Sequence, residues 1–213
     1  MDLVVSEIFV SLQGESSEAG RRCAFVRLAG CNLDCAYCDT RYARTGGKKM
    51  TLAQVITAVE KLNCPLVEVT GGEPLHQPKS VDLMKALLKK GHEVLLETNG
   101  SCDLSPVPRR IKIIMDIKTP SSNMTQYNML SNIRLLKRTD EIKFVITDKR
   151  DYSFSRQIIK KYKLDKKCRV LLSPEQTQGS AQHLAQWILN DKLNVRLNLQ
   201  LHKIVWPGRK KGI

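Results

Sequence analysis

An α/β fold built on a parallel sheet with crossover helices is what this 213-residue sequence predicts. Three observations carry that expectation. Short runs rich in β-branched residues alternate with amphipathic segments of helical period. Several of the runs are nearly continuous apolar stretches, as strands covered on both faces are. Most of the runs end in a small or polar cluster, and in such sheets ligands bind beyond the carboxyl ends of the strands.

In chain order, the strand runs are LVVSEIFVS (3–11), CAFVRLA (23–29), LVEVT (66–70) and EVLLET (93–98), then IKIIMDI (111–117), EIKFVIT (141–147), RVLLS (169–173) and VRLNLQL (195–201). The segment TLAQVITAVEKLN is predicted helical from an N-cap at Thr51. SVDLMKALLKKG runs from Ser80 and stops at Gly91, a residue type that ends helices by adopting the left-handed conformation. YSFSRQIIKKYK and SAQHLAQWILND repeat the helical period. No internal repeat or low-complexity linker divides the chain, and its length suits a single domain over 1–213 with a basic tail at about 207–213. That tail is expected to be disordered, as short charged termini commonly are.

A hydrophobic content of 42% gives no disorder signature. No apolar run approaches the roughly 18 residues of a membrane span. The first residues, MDLVVSEIFVSLQGE, lack the basic start and cleavage site of a secretory signal and read as a strand. A cytoplasmic protein without a membrane partner is the expectation. Of seven cysteines, Cys23, Cys64, Cys102 and Cys168 are scattered in or beside apolar stretches and are expected to be buried small hydrophobes. The net charge is +14, from 35 basic and 21 acidic side chains, but the charges are dispersed and no aromatic residues interleave with the basic runs. A solvated face or a steering field for anionic ligands is expected, not a stable nucleic-acid complex.

The strand ends concentrate the chemistry. They read AGCNLDCAYCDT, TGGEP, TNGS, DIKTPSS and SPEQ in turn. Any one of these suits an ordinary turn; five at one sheet edge suit a site. Cys31, Cys35 and Cys38 fall within eight positions. Zinc takes four ligands, and no His follows them at a useful spacing, although the fold could bring one close. An iron–sulfur cube held by three thiolates instead leaves one iron open for a substrate or cofactor.

Cys31-x3-Cys35-x2-Cys38, with Tyr37 before the last cysteine and GGEP at 71–74, resembles the cluster loop and methionine motif of radical S-adenosylmethionine (SAM) enzymes. EIFVSLQGES (7–16), FVRLAGCNLDCAYCDT (25–40), VTGGEP (69–74), ETNGS (97–101) and LQLHKIVW (199–206) are similar, in that order and over nearly the whole chain, to the 7-carboxy-7-deazaguanine synthase family. The resemblance implies an incomplete, modified (β/α) barrel of the radical SAM type, with the cluster loop at its open top. It also implies ring contraction of 6-carboxy-5,6,7,8-tetrahydropterin to 7-carboxy-7-deazaguanine with loss of ammonia, in 7-deazapurine and queuosine biosynthesis. The implied chemistry is reductive cleavage of SAM on a [4Fe–4S] cluster, giving a 5′-deoxyadenosyl radical that removes a hydrogen atom from the pterin. A homodimer and an electron donor such as flavodoxin or ferredoxin are implied as partners.

The family's residue roles carry over as follows. Cys31, Cys35 and Cys38 would ligate the cluster. Tyr37, Cys38, Asp39, Gly72 and Glu73 would contact SAM, as would the later strand ends Thr98, Asn99, Asp116, Lys118, Ser173 and Gln176. Leu12, Gln13, Gly14, Glu15, Arg27 and Thr70 would contact the substrate: an amide suits the pterin edge and a guanidinium suits a carboxylate. Thr40 would meet Mg2+. DIKTP replaces the Ser-Pro-Lys pattern often seen at its strand end, and SSEAGRR around Gly20 replaces a glycine-rich loop. His202 reads as a packed histidine. Two other functions share some of these features. A radical activase that makes a glycyl radical on a partner protein shares the cysteine loop, and a nucleic-acid-binding Fe–S or zinc protein would suit the charge.

Overall fold

The computed structural model describes residues 2–175, 180–209 and 211–212. Among the described residues nine strands form one open sheet: β1 (Leu3–Leu12), β2 (Arg22–Leu28), β3 (Lys48–Met50), β4 (Leu66–Gly71), β5 (Glu93–Thr98), β6 (Lys112–Asp116), β7 (Glu141–Ile146), β8 (Arg169–Pro174) and β9 (Arg196–Leu197). Their spatial order is β3-β1-β2-β4-β5-β6-β7-β8-β9. From β2 through β9 the neighbours are parallel, while β1 and β3 add antiparallel partners at one edge. The helices are α1 (Leu52–Glu60), α2 (Lys79–Lys89), α3 (Lys149–Tyr162), α4 (Leu164–Lys167), α5 (Ser180–Asn190) and α6 (Leu201–Val205). This is the expected incomplete (β/α) barrel.

Side-chain alternation divides the strands between two environments. Ala24, Val26, Leu28, Val67, Val69, Leu96, Met115, Ile142, Phe144 and Leu172 join the main core, which also takes in Val55 and Val59 of α1 and Leu83, Met84 and Leu87 of α2. The alternate residues face the concave side. There Cys23, Phe25, Leu66, Leu95 and Ile114 make a smaller apolar cluster, and Arg27, Glu68, Thr70, Glu97, Asp116, Lys143 and Ser173 line a cavity with it. A strand's period of two therefore places the apolar core and the polar site on opposite faces of the same sheet.

Helix starts follow local capping. Thr51 accepts a hydrogen bond from Gln54 N while the Gln54 side chain accepts from Thr51 N, a complete capping box. Asp148 caps Asp151 N, so α3 begins at Lys149, three residues before the predicted segment. Lys79 opens α2, and Gly91 follows its end at φ +88°.

Two connections close what the strands leave open. The loop 13–20 crosses from β1 to the starts of β6 and β7: Ser17 N donates to Glu141, and Lys112 Nζ donates to Glu18 Oε1 at 2.6 Å. On the other flank, the predicted strand 195–201 is a correction. Only Arg196–Leu197 pair as β9, and Leu201 opens α6. The polar residues of that alternating run bond across the gap instead of extending the sheet: Asn198 Nδ2 donates to Ser173 Oγ at 2.8 Å, its Oδ1 accepts from Ser16 N at 3.0 Å, and Leu201 N donates to Gly14 O at 2.8 Å. Cys23, Cys64 and Cys168 are buried as expected, whereas Cys102 is only half-buried in the loop after β5. The described part of the basic tail packs back on β1, against the expectation of disorder: Gly212 N donates to Glu7 Oε2 at 3.2 Å, and Lys211 Nζ lies 4.9 Å from the Tyr42 ring centre.

Candidate active site

Four strand-end loops meet through backbone and side-chain hydrogen bonds. After β2, the loop 29–40 carries Cys31, Cys35 and Cys38. After β4, Gly72 N donates to Leu28 O at 3.0 Å and Glu73 N to Gly30 O at 2.9 Å. A Cβ on Gly72 would lie 2.0 Å from Gly30 O, so this approach requires glycine. After β5, Asn99 Nδ2 reaches Cys31 Sγ at 3.8 Å and Asn32 Oδ1 at 3.1 Å. After β6, Ser122 O accepts from Ala36 N at 3.1 Å, and the Tyr37 and Thr119 hydroxyls lie 3.4 Å apart.

These loops roof a cavity of about 250 Å³ on the concave face. Leu12, Gln13, Gly14, Glu15, Arg27 and Thr70 line it, as do Cys31, Cys35, Tyr37, Cys38, Asp39, Thr40, Gly72, Thr98, Asn99, Asp116, Lys118 and Ser173. The site residues expected from sequence thus share one enclosure, with two exceptions. Glu73 is fully buried and turned away from the cavity: its carboxylate accepts from Thr98 Oγ1 at 2.8 Å, Asn99 N at 2.6 Å and Leu75 N at 3.0 Å. Its carboxylate ties the GGEP loop to the end of β5, so only its backbone is left to approach a cofactor. Gln176 lies outside the described residues.

Buried charge dominates the interior. Lys143 bonds Glu15 Oε2 at 2.8 Å and Glu97, with Asp116 Oδ1 at 3.6 Å. Burial opposes its charge, but these carboxylates outweigh it and hold the ammonium well above its usual range. Lys118 pairs with Asp116 Oδ2 at 2.8 Å and is likewise raised against the cost of burial. Burial would raise Glu97, yet Lys143 and Thr70 keep it below the usual carboxylate range. Glu68 differs: burial first, then the negative charge of Glu97, pushes it well above that range. Asp39 is held low, against burial, by Lys203 at 2.6 Å and by the Thr40 hydroxyl at 2.8 Å. Arg27 Nε donates to Glu7 Oε1 at 2.7 Å, and its guanidinium sits 5.7 Å from the Phe9 ring centre. Burial raises the Cys35 and Cys38 thiols, and a metal's positive charge would act in the opposite sense by favouring the thiolates.

Sequence reasoning missed part of the lining: Glu68, Glu97, Lys143, Gln200, His202 and Lys203. His202 packs on Gly14, where a Cβ would lie 1.9 Å from its Nδ1, and also lines the cavity. Burial keeps its pKa below the ordinary imidazole value, against the pull of Glu15.

The donor set suits an iron–sulfur cluster. Three soft thiols share one loop and face the cavity, whereas among the described residues no three His, Cys, Asp or Glu side chains converge on a single ion. A cube spreads its thiolates over separate irons and needs no such convergence.

The family model of the Radical SAM superfamily matches residues 25–143. A 7-carboxy-7-deazaguanine synthase of Koribacter versatilis is 42% identical over 98% of this chain and 99% of its own length. One from Chlorobaculum tepidum is 42% identical over 99% of this chain and 97% of its own. The crystal structure of QueE from Escherichia coli aligns with a TM-score of 0.77 at 23% identity, covering 95% of each chain, a likeness of fold. Streptococcus suis SuiB bound to S-adenosylmethionine aligns more loosely, with a TM-score of 0.56 at 15% identity over 84% of this chain and 50% of its own. With relatives this similar over nearly its full length, the chain belongs to the 7-carboxy-7-deazaguanine synthase family of the radical SAM superfamily.

Proposed function

We propose that this protein is a radical SAM lyase that converts 6-carboxy-5,6,7,8-tetrahydropterin to 7-carboxy-7-deazaguanine with loss of ammonia. The observation that carries the reading is full-length identity of 42% to synthases of that name, in a chain whose cavity unites the three cysteines with Gln13, Arg27 and Thr70. Cys31, Cys35 and Cys38 would hold a [4Fe–4S] cluster. Cluster and SAM together supply one-electron cleavage and hydrogen-atom abstraction.

The remaining work belongs to the chain. Tyr37, Asp39, Gly72, Thr98, Asn99, Asp116, Lys118 and Ser173 would hold SAM against the cluster loop. Lys118 keeps its charge in a buried setting, where it can face a carboxylate. Among the described residues the terminal Nη groups of Arg27 have no protein partner, leaving a fork for the substrate's carboxylate. Leu12, Gln13, Gly14, Glu15 and Thr70 would place the ring. The loop 13–20 and α6 shut the sides of the cavity, which limits water and protects a reactive intermediate. Thr40, its hydroxyl beside the Asp39 carboxylate, would take Mg2+, a cation that favours oxygen ligands and keeps waters.

A single domain, a cytoplasmic setting, a flavodoxin or ferredoxin as electron donor and a homodimer complete the proposal. Among the described residues no helix is long and apolar enough to cross a membrane. Leu199, Ile204 and Val205 are exposed apolar side chains that a second copy could cover.

The test is anaerobic turnover of the iron–sulfur-reconstituted protein with dithionite, SAM, Mg2+ and 6-carboxytetrahydropterin, read by mass spectrometry. A 7-carboxy-7-deazaguanine peak that vanishes in Cys31→Ala is the expected result. Release of 5′-deoxyadenosine without that peak would retain the radical chemistry, discard the substrate and favour the glycyl-radical activase.

A further inference from the structure

Glu68 lies on the cavity floor, 3% exposed, in the middle of β4. Its Oε2 accepts from the Gln13 amide. Among the described residues its Oε1 accepts from no protein group, and the nearby cations are committed elsewhere, Lys143 to Glu15 and Glu97, Arg27 to Glu7 and Lys118 to Asp116. A buried carboxyl with one amide donor is an unfinished arrangement, since an ionised carboxylate offers about four acceptor positions.

Its neighbours show what would finish it. In the β2–β4 register Glu68 pairs with Phe25, and Thr70 with Arg27. Phe25 stacks on Phe9 with ring centres 5.0 Å apart and lines the cavity, giving a flat apolar surface directly beside the carboxyl. Arg27 sits two residues further along the strand, ~6.6 Å away at ordinary strand rise. A fused two-ring heterocycle lying on Phe25 can therefore present a carboxylate to Arg27 at one end and its other edge to Glu68.

We infer that Glu68 is the specificity residue for the pyrimidine end of the substrate, its carboxylate accepting from the ring N–H and exocyclic amino group of a 2-aminopyrimidinone. The inference rests on the pterin reading above. Without ligand, burial and Glu97 favour the protonated acid; two ligand donors favour the carboxylate instead, so binding expels a proton.

The test uses the reconstituted holoenzyme with two substrates, 6-carboxytetrahydropterin and its 2-oxo counterpart, in which a carbonyl replaces the amino group. Wild type is expected to prefer the amino compound by roughly a hundredfold or more in kcat/KM, as a site built around hydrogen-bond partners does. In Glu68→Gln, whose amide donates to a carbonyl, that preference falls at least tenfold, mainly through KM. Calorimetry in buffers of different ionisation enthalpy finds proton release on pterin binding to wild type and none in Glu68→Gln. Glu68→Thr, a strand-favouring residue, serves as the second variant and also loses the preference. A role confined to holding Gln13 lowers both activities together and leaves the ratio intact; that result overturns the inference alone. Failure of wild type to convert the pterin overturns the functional reading and this inference with it.

Discussion

Lys143 is the electrostatic pivot of the interior, because a fully buried ammonium holds Glu15 and Glu97 in place and faces Asp116. Lys143→Met leaves those carboxylates without their cation and should cost about 3–5 kcal/mol in denaturant unfolding. Glu68 carries the opposite pH signature. Its folded-state pKa is raised, so the folded protein binds that proton more tightly than the unfolded chain. Its contribution is fully present below the ordinary glutamate value of 4.5 and is lost as pH rises toward the folded pKa. Ligand-free Glu68→Gln should therefore melt above wild type at pH 8, by roughly 2–4 °C for each kcal/mol recovered, and show no such gain near pH 4. These residues were only half legible in sequence. The family resemblance names Arg27, but Glu68 in LVEVT, Glu97 in EVLLET and Lys143 in EIKFVIT are single charges inside runs that otherwise suit strands apolar on both faces. One ionisable group inside each of several apolar strand runs, Arg27, Glu68, Glu97, Asp116 and Lys143, is the available signal.

The elements are held in register by short-range devices that can be broken one at a time. Thr51→Ala removes the capping box of α1 and should cost about 1 kcal/mol, measured by denaturant unfolding, without touching the cavity. Gly72→Ala acts differently, because its Cβ would strike the Gly30 carbonyl and must push the GGEP loop off the cysteine loop. It should leave the far-UV spectrum intact while lowering SAM cleavage by roughly a hundredfold, as expected for a displacement near 1 Å at reacting groups. Seven of the eight predicted strands form close to their predicted bounds because length, β-branching and flanking turns specify them locally, and of the eighth only Arg196–Leu197 pair. β3 and the 3-10 turns between residues 120 and 135 were not foreseen. Three residues, KKM, carry no period, and β3 exists only because β1 offers it an edge. The shortening of the last strand has the same origin: alternation gives the period, but only tertiary contacts decide whether Asn198 and Gln200 bond to a sheet or to a loop.

The whole molecule separates a stable sheet from a completed site. α6 buries no residue, yet Gln200, His202 and Lys203 wall the cavity. Deleting residues 201–213 should leave circular dichroism and cooperative unfolding close to wild type while product formation falls below detection; loss of the fold instead would show that α6 is structural. The seam that α6 helps to seal joins residues 185 positions apart, Glu15 and Gln200. At ~5–20 residues per second, synthesis separates them by roughly 10–40 s. For most of that interval the nascent chain carries all three loop thiols without the wall that Gln200, His202 and Lys203 supply. A cluster held by that loop would gain its wall on this side only once the seam closes, so the enclosure of the site is the last part of the fold that the order of synthesis allows to form.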